Sequence, residues 1–262
     1  MHYVERGSGE PLVLIHGNGT QIEDFETSGL LDLAAETHRV IVFDRPGFGH
    51  SSRPRNRIWT PSAQADLLDE ALAQLGVERS IVLGHSWGAA VAVALALRHP
   101  SAVHKLVLVS GYYYPTDRFD AALQFVQASP VIGDVLRYTL APLLGRLGWP
   151  RLMKKIFSPA AVSPSFSSAI KEMALRPSQL HSSAADSSLM IPNAIEMQNR
   201  YGQLSMPVSI VVGADDHLID AKSQSMRLHR DISGSVLHVV SGLGHMVHHG
   251  ARREVMNAIQ LA

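Results

Sequence analysis

The amino-acid sequence predicts an α/β fold, a mostly parallel central sheet flanked by helices. Three observations carry that expectation. Short apolar strands alternate with helical stretches along most of the chain. Strands such as Ile81-Val82-Leu83 and Leu106-Val107-Leu108-Val109 are continuously apolar, as strands buried on both faces must be. Glycine-rich turns follow several of them, at His16-Gly17-Asn18-Gly19, at Asp44-Arg45-Pro46-Gly47-Phe48-Gly49 and at Gly213-Ala214-Asp215-Asp216.

The elements read in order as follows. A short strand precedes Pro11. Residues 11–15 are an apolar run entering the first glycine turn, 30–35 suggest a helix, and 39–43 are a second apolar run. Residues 61–75 start at Pro61 and place Leu67, Leu68, Leu72 and Leu75 at near-helical spacing, with Gly76 suited to cap the end. A strand at 80–83 leads to an Ala/Val/Leu-rich helix at 87–98, stopped by Pro100, and 105–109 is a further strand. The pattern then changes. Residues 112–204 lack strong strand signals and hold many Ser, Pro, Leu and Met, with helical segments at 119–128, 135–147 and 151–157. A strand at 207–212, a helix near 220–230, a strand at 236–240 and a helix over 246–260 complete the chain. Residues 1–111 and 205–262 therefore form one α/β core, and 112–204 a helical insert between its halves.

Composition excludes several classes. In 262 residues, 23 Lys+Arg balance 23 Asp+Glu, so no basic surplus points to nucleic acid. The 46% hydrophobic share is too high for a disordered chain. With no cysteine, disulfides, thiolate metal sites and a cysteine nucleophile are out. The start, Met-His-Tyr-Val-Glu-Arg-Gly, lacks the features of a signal peptide. The longest apolar stretch, 81–97, is interrupted by His85 and Ser86 and holds two glycines, unlike a membrane helix. A soluble, cytoplasmic chain is the expectation.

Gly84-His85-Ser86-Trp87-Gly88 matches Gly-x-Ser-x-Gly between an apolar strand and a helix. In that setting the serine sits in a strained turn at the C-terminal end of a strand, with its hydroxyl projecting into the crevice. Glycines flank it because a Cβ there would strike neighbouring backbone. Serine is a poor nucleophile alone and needs a base, which needs an orienting acid. The expected chain order is Ser, then Asp or Glu, then His. Asp216 follows the strand at 207–212 and His245 the strand at 236–240. Both leave the C-terminal edge of the sheet, where ligands bind in such folds.

Taken with His16-Gly17-Asn18-Gly19, Asp44-Arg45-Pro46-Gly47-Phe48-Gly49-His50-Ser51 and Gly242-Leu243-Gly244-His245, these motifs resemble the α/β-hydrolase-fold serine hydrolases. The nearest flavour is the branch of small bacterial esterases, non-haem haloperoxidases and prolyl aminopeptidases. The match runs from residue 16 to 245 and leaves only the helical insert uncovered. The resemblance implies an α/β-hydrolase fold with a helical cap inserted after the family's sixth-strand position. It implies Ser86 as nucleophile, His245 as base and Asp216, three residues after Gly213, as acid in preference to Asp215. Some members carry the acid after the preceding strand, where this chain has Asp117. The oxyanion hole would be the main-chain N–H groups of Trp87 and Asn18. No cofactor or metal is implied.

The implied reaction is cleavage of a small-molecule carboxylic ester, of short to medium acyl length, through an acyl-enzyme on Ser86. Amidase, aminopeptidase, carbon–carbon hydrolase, lactonase and perhydrolase chemistry share the same triad. Haloalkane dehalogenases and epoxide hydrolases use an aspartate nucleophile, so Ser86 argues against both. An aminopeptidase would want clustered acids in the cap; Asp117, Asp120, Asp134, Glu172, Asp186 and Glu196 form no obvious cluster. A hydroxynitrile-type lyase would want a lysine by the base, and only Lys222 comes close in sequence to Asp216. A small-ligand receptor on the same scaffold is the non-enzyme reading.

Other residues have more than one use. His16 is suited to hold the oxyanion loop and is a candidate for the substrate pocket, with Tyr112 and Tyr113. Tyr112, Tyr113 and Tyr114 directly follow a strand, where they line the acyl pocket or anchor the cap. His85 flanks the serine and reads as packing or as support behind the site residues, and Asp44 as structural. His245, His248 and His249 have the i, i+3, i+4 spacing of ligands on one helical face, but no acid follows in a metal-binding pattern, so no metal is expected. Residues 135–157 mix leucines with Arg and Lys. Such a segment packs a cap on the core, lines an acyl pocket, or makes a weak contact with an anionic lipid surface without stable insertion.

Overall fold

A computed structural model describes residues 1–116, 129 and 131–260. The helix expected over 119–128, and the acids Asp117 and Asp120, lie outside the described residues. Seven strands form one sheet: β1 (Tyr3–Arg6), β2 (Glu10–Ile15), β3 (His38–Phe43), β4 (Ser80–His85), β5 (Val103–Val109), β6 (Val208–Gly213) and β7 (Val236–Val240). Their order is β1-β3-β2-β4-β5-β6-β7; only β1 runs antiparallel, to β3.

Side chains alternate across the sheet with period two, so each apolar strand feeds two cores. Val13, Ile15, Ile41, Phe43 and Val82 face one core. Leu12, Leu14, Val40, Val42, Ile81 and Leu83 face the other. The first is covered by α3 (Pro61–Gln74) and α4 (Trp87–Arg98). The second is covered by α1 (Glu23–Ser28) and α2 (Leu30–Ala35) together with the chain's last helices. Thr60 caps α3 by accepting the Ala63 N–H, and Pro61 occupies its first turn, where a missing N–H costs nothing.

Between β5 and β6 the described residues form four helices: α5 (Ile132–Tyr138), α6 (Leu140–Phe157), α7 (Pro164–Ala174) and α8 (Pro177–Met197). Counted along this chain they follow the fifth strand. The stretches read as 135–147 and 151–157 are divided differently: α6 continues through Pro150, and the break falls at Thr139, whose φ is −124° and ψ −83°. The composition of α7 and α8 concealed both helices. A third cluster joins Trp149, Met153, Ile156 and Phe157 of α6 to Phe166 and Ile170 of α7 and to Met246 beyond β7. The chain ends in α9 (Ser225–Asp231), α10 (Val247–Gly250) and α11 (Arg252–Gln260). No described helix is long and apolar enough to cross a membrane.

Candidate active site

Ser86 lies between β4 and α4 at φ 53°, ψ −116°. A non-glycine residue at positive φ is strained and persists only when its surroundings enforce it. Here Ser86 N–H donates to Val109 O at 2.9 Å, fixing the turn to the neighbouring strand. The turn is also crowded. A Cβ on Gly84 would run into the Gly88 carbonyl, and one on Gly88 into the carbonyls of Ile15 and His16.

His245 Nε2 stands 3.0 Å from Ser86 Oγ, and its Nδ1 is 2.8 Å from Asp216 Oδ2. The other carboxylate oxygen of Asp216 accepts the N–H groups of Leu218 and Ile219 at 2.8 and 2.9 Å. Burial pushes the Asp216 carboxyl upward, but the charge and hydrogen bond of His245 and the two N–H donors outweigh it, leaving it below the ordinary range. Asp216 therefore stays a carboxylate and fixes the imidazole with Nε2 free to accept the serine proton. Asp215 is exposed and its carboxylate accepts the Gly242 N–H.

The serine faces a cavity of about 270 Å³. Its walls include Trp149, Met153 and Ile156 of α6, Phe166 and Ile170 of α7, and Met190 of α8. Asn18, Trp87, Leu218 and Ile219 border it near the serine. Among the described residues its lining contains no Asp, Glu, Lys or Arg. Asn18 Oδ1 and Trp87 Nε1 are buried without a hydrogen-bond partner among the described residues, so two residues at this cavity each carry an unused polar atom.

His16, Tyr112 and Tyr113 are not among the cavity's lining residues. His16 is fully buried, with Nδ1 donating to Gly17 O at 2.8 Å and Nε2 accepting the Arg45 N–H at 3.0 Å. Burial, then Arg45, lowers its pKa to about 3, so it remains a neutral brace for the loop. The tyrosines turn toward α9 instead. Gln224 Oε1 accepts the N–H groups of Tyr113 and Tyr114 at 2.7 and 2.8 Å, and Tyr201 donates its hydroxyl to Tyr113 O at 2.6 Å. Tyr112 packs against Ala194 and Ile219. Main-chain demands after β5 take these residues away from the cavity.

Two constellations were not visible in the sequence. The first ties the loop after β2 to α8. Arg45, 1% exposed, donates to His16 O and Gly17 O at 2.9 and 2.8 Å and to Asp186 Oδ2 at 2.6 Å. Arg53 donates to the other Asp186 oxygen at 2.9 Å. Asn18 Nδ2 adds bonds to Ser183 O and Ser187 Oγ of the same helix, at 3.1 and 2.9 Å. Burial of an arginine runs against sequence expectation, and its partner lies 141 residues away.

The second lies behind His245. Asp24 of α1 is fully buried, and its Oδ1 accepts from His248 and His249 of α10, each at 2.9 Å. His85 Nε2 lies 3.2 Å from the main-chain oxygen of His245, and its Nδ1 is 3.7 Å from Asp24 Oδ2. Ligand atoms of Asp24, His85 and His248 fall within 4.8 Å of one another, so among the described residues this group, rather than His245, His248 and His249, has the spacing to hold a cation. His245 is committed to Ser86 and Asp216 instead.

The Asp24 pair makes a pH-dependent prediction. Burial raises the Asp24 carboxyl, but its interactions with His248 and His249, hydrogen bonds to both among them, overcome it and hold it well below the usual range, although burial also lowers the pKa of His248 itself. A depressed carboxylate contributes stability above its unfolded pKa, about 3.9, that disappears as pH falls through the folded value. Asp24→Asn should therefore cost about 2–3 kcal/mol at pH 7 and progressively less below about pH 4. Urea midpoints of both proteins across that range measure it; a difference that does not change with pH would refute the assignment.

A family model described as alpha/beta hydrolase fold matches residues 10–251. A 2-hydroxymuconate semialdehyde hydrolase of Pseudomonas putida is 35% identical over 105 residues, which span 40% of this chain and only 37% of that protein. Another of that description, from Pseudomonas sp. (strain CF600), is 27% identical over 254 residues, covering 95% of this chain and 85% of the relative. Among solved structures, a thermophilic esterase from Thermogutta terrifontis superposes with a TM-score of 0.80 at 22% identity, over 97% of this chain and 90% of the other, a likeness of fold. The strand order, the serine turn after β4 and the family match together place this chain in the α/β hydrolase fold family, as a hydrolase.

Proposed function

We propose that this hydrolase cleaves uncharged carboxylic esters of short to medium acyl length through an acyl-enzyme on Ser86. The observation that carries this reading is an apolar cavity, lined by no charged Lys, Arg, Asp or Glu among the described residues, set directly over the Ser86–His245–Asp216 array. Its volume, about 270 Å³, is at the small end of ligand cavities, which run roughly 300–1,000 Å³.

Ser86 Oγ attacks the ester carbonyl while His245 Nε2 takes its proton, and Asp216 stabilises the imidazolium that forms. The N–H of Trp87, in the first turn of α4, has no partner within the helix, and with that of Asn18 it receives the oxyanion. His245 then protonates the leaving alkoxide, and water activated by the same imidazole releases the acid. In this reading the helices between β5 and β6 act as a cap that supplies the apolar wall.

The relatives' chemistry sharpens the choice. A muconate semialdehyde carries a carboxylate, and such a group in an apolar cavity requires a cation; the described lining offers no Lys or Arg. Lys222 is exposed and does not line the cavity, which removes support for a lyase. Three of the four described cap acids are engaged elsewhere: Asp134 with Arg55 and Arg137, Glu172 with Arg146, Asp186 with Arg45 and Arg53; the fourth, Glu196, is exposed and does not line the cavity. Among the described residues that leaves no acidic cluster for a substrate amine.

The test is a series of p-nitrophenyl esters from acetate to palmitate. Turnover should peak at short to medium chains and collapse at palmitate. Folded protein with no turnover at any length would sink the ester reading and direct attention to carbon–carbon bonds.

A further inference from the structure

Helix α6 carries two unlike faces. Trp149, Met153 and Ile156 line the cavity over Ser86. On the opposite face Leu140, Leu143, Leu144 and Leu147 are between 54% and 72% exposed. Their spacing of three and four residues makes one stripe, and the next positions on it, by the same spacing, are Arg151, Lys154 and Lys155, all exposed. The outward face is thus leucine for two turns and cationic for the next. Adjoining α5 adds Ile132, Val135 and Tyr138, each at least 60% exposed. Exposed large apolar side chains gathered on two successive helices in this way mark an interaction site.

Charge identifies the partner. Helix α6 contains no acidic residue, although the whole chain is neutral. Among the described residues, the carboxylate paired with this helix is Glu172, and it is taken by Arg146 at 2.6 Å. A second copy of the chain would bring the same cations and no α6 carboxylate to meet them. An anionic bilayer meets both halves of the stripe: the leucines sink to the acyl boundary and the cations rest on headgroups. We propose that α5 and α6 dock this protein on anionic lipid surfaces. Leu152, which lines the cavity and is 46% exposed, lies on the same helix, so docking sets the cavity beside the lipid.

Vesicle sedimentation tests this without reference to any reaction. The full chain should sediment with phosphatidylcholine vesicles containing phosphatidylglycerol, not with phosphatidylcholine alone, and salt should weaken the binding. Leu144→Glu/Leu147→Glu and Lys154→Glu/Lys155→Glu should each reduce partitioning by about tenfold or more. Neither pair lines the cavity, so both variants should melt and turn over a soluble ester like the unaltered protein. Absence of binding to the anionic vesicles, or equal binding to both compositions, would overturn the proposal. So would a dimer, seen by light scattering, that Leu144→Glu/Leu147→Glu dissolves while no vesicle captures the protein.

Discussion

Replacing Ser86 with alanine is expected to lower turnover of a p-nitrophenyl ester by about 10⁵- to 10⁶-fold without unfolding the chain. The variant keeps His245 and Asp216 in place but has no oxygen 3.0 Å from Nε2 to attack the carbonyl. A slow residual rate from the oxyanion donors would remain. Stability should hardly change, because alanine inherits the same unfavourable φ of 53°. Ser86→Gly separates the two consequences. It should be equally inactive yet gain about 1 kcal/mol, since glycine occupies positive φ without a Cβ penalty. Rates and urea midpoints for the three proteins make the comparison. More than a few per cent of activity in Ser86→Ala would remove Ser86 from the chemistry altogether.

Asp186→Ala is expected to cost about 3–5 kcal/mol, the usual penalty for leaving a buried charge unpaired. Asp186 is fully buried between Arg45 and Arg53, and Arg45 cannot escape to water while it holds the carbonyls of His16 and Gly17. The double variant Arg45→Met/Asp186→Ala should recover at least about 2 kcal/mol of the summed single losses, because the fully buried Arg45 charge is then not stranded, while Arg53 still loses its carboxylate. Catalysis supplies a second readout. Loosening Gly17 and Asn18 disturbs the Asn18 N–H proposed above to receive the oxyanion, so kcat should fall further than KM rises. A urea midpoint for Asp186→Ala equal to that of the unaltered chain would mean the pair is not buried as described.

These two residues also show where sequence reading reaches and where it stops. Ser86 was legible because its signal is local: strand, turn and helix are contiguous, and the glycines two residues either side are forced by backbone contact. Asp216 and His245 follow β6 and β7 in the same manner. The sheet was legible for a related reason, since strands buried on both faces write themselves as unbroken apolar runs. Asp186 was invisible. Helix α8 mixes Ser, Pro, Met and polar residues without a clean apolar stripe, because one side of it meets Arg45, Asn18 and the cavity rather than a uniform core. Asp24 was hidden likewise, its partners lying 224 and 225 residues away. Tyr112 and Tyr113 sat at the right place in the chain, after β5. The hydrogen bonds of Gln224 and Tyr201 then hold the main chain at Tyr113, Tyr112 packs against Ala194 and Ile219, and neither lines the cavity.

The bond between Arg45 and Asp186 limits how this molecule can be recombined. The segment between β5 and β6 begins and ends at adjacent strands and would seem a convenient cassette for grafting a new pocket. It is not portable. An exchanged cassette lacking a carboxylate at position 186 would strand Arg45 in the host. A host lacking Arg45 would strand the carboxylate instead. Either graft would misfold or loosen the loop bearing Asn18, whatever the quality of the new pocket. Shuffling libraries built on this scaffold should therefore carry Arg45, Arg53 and Asp186 as one inherited block.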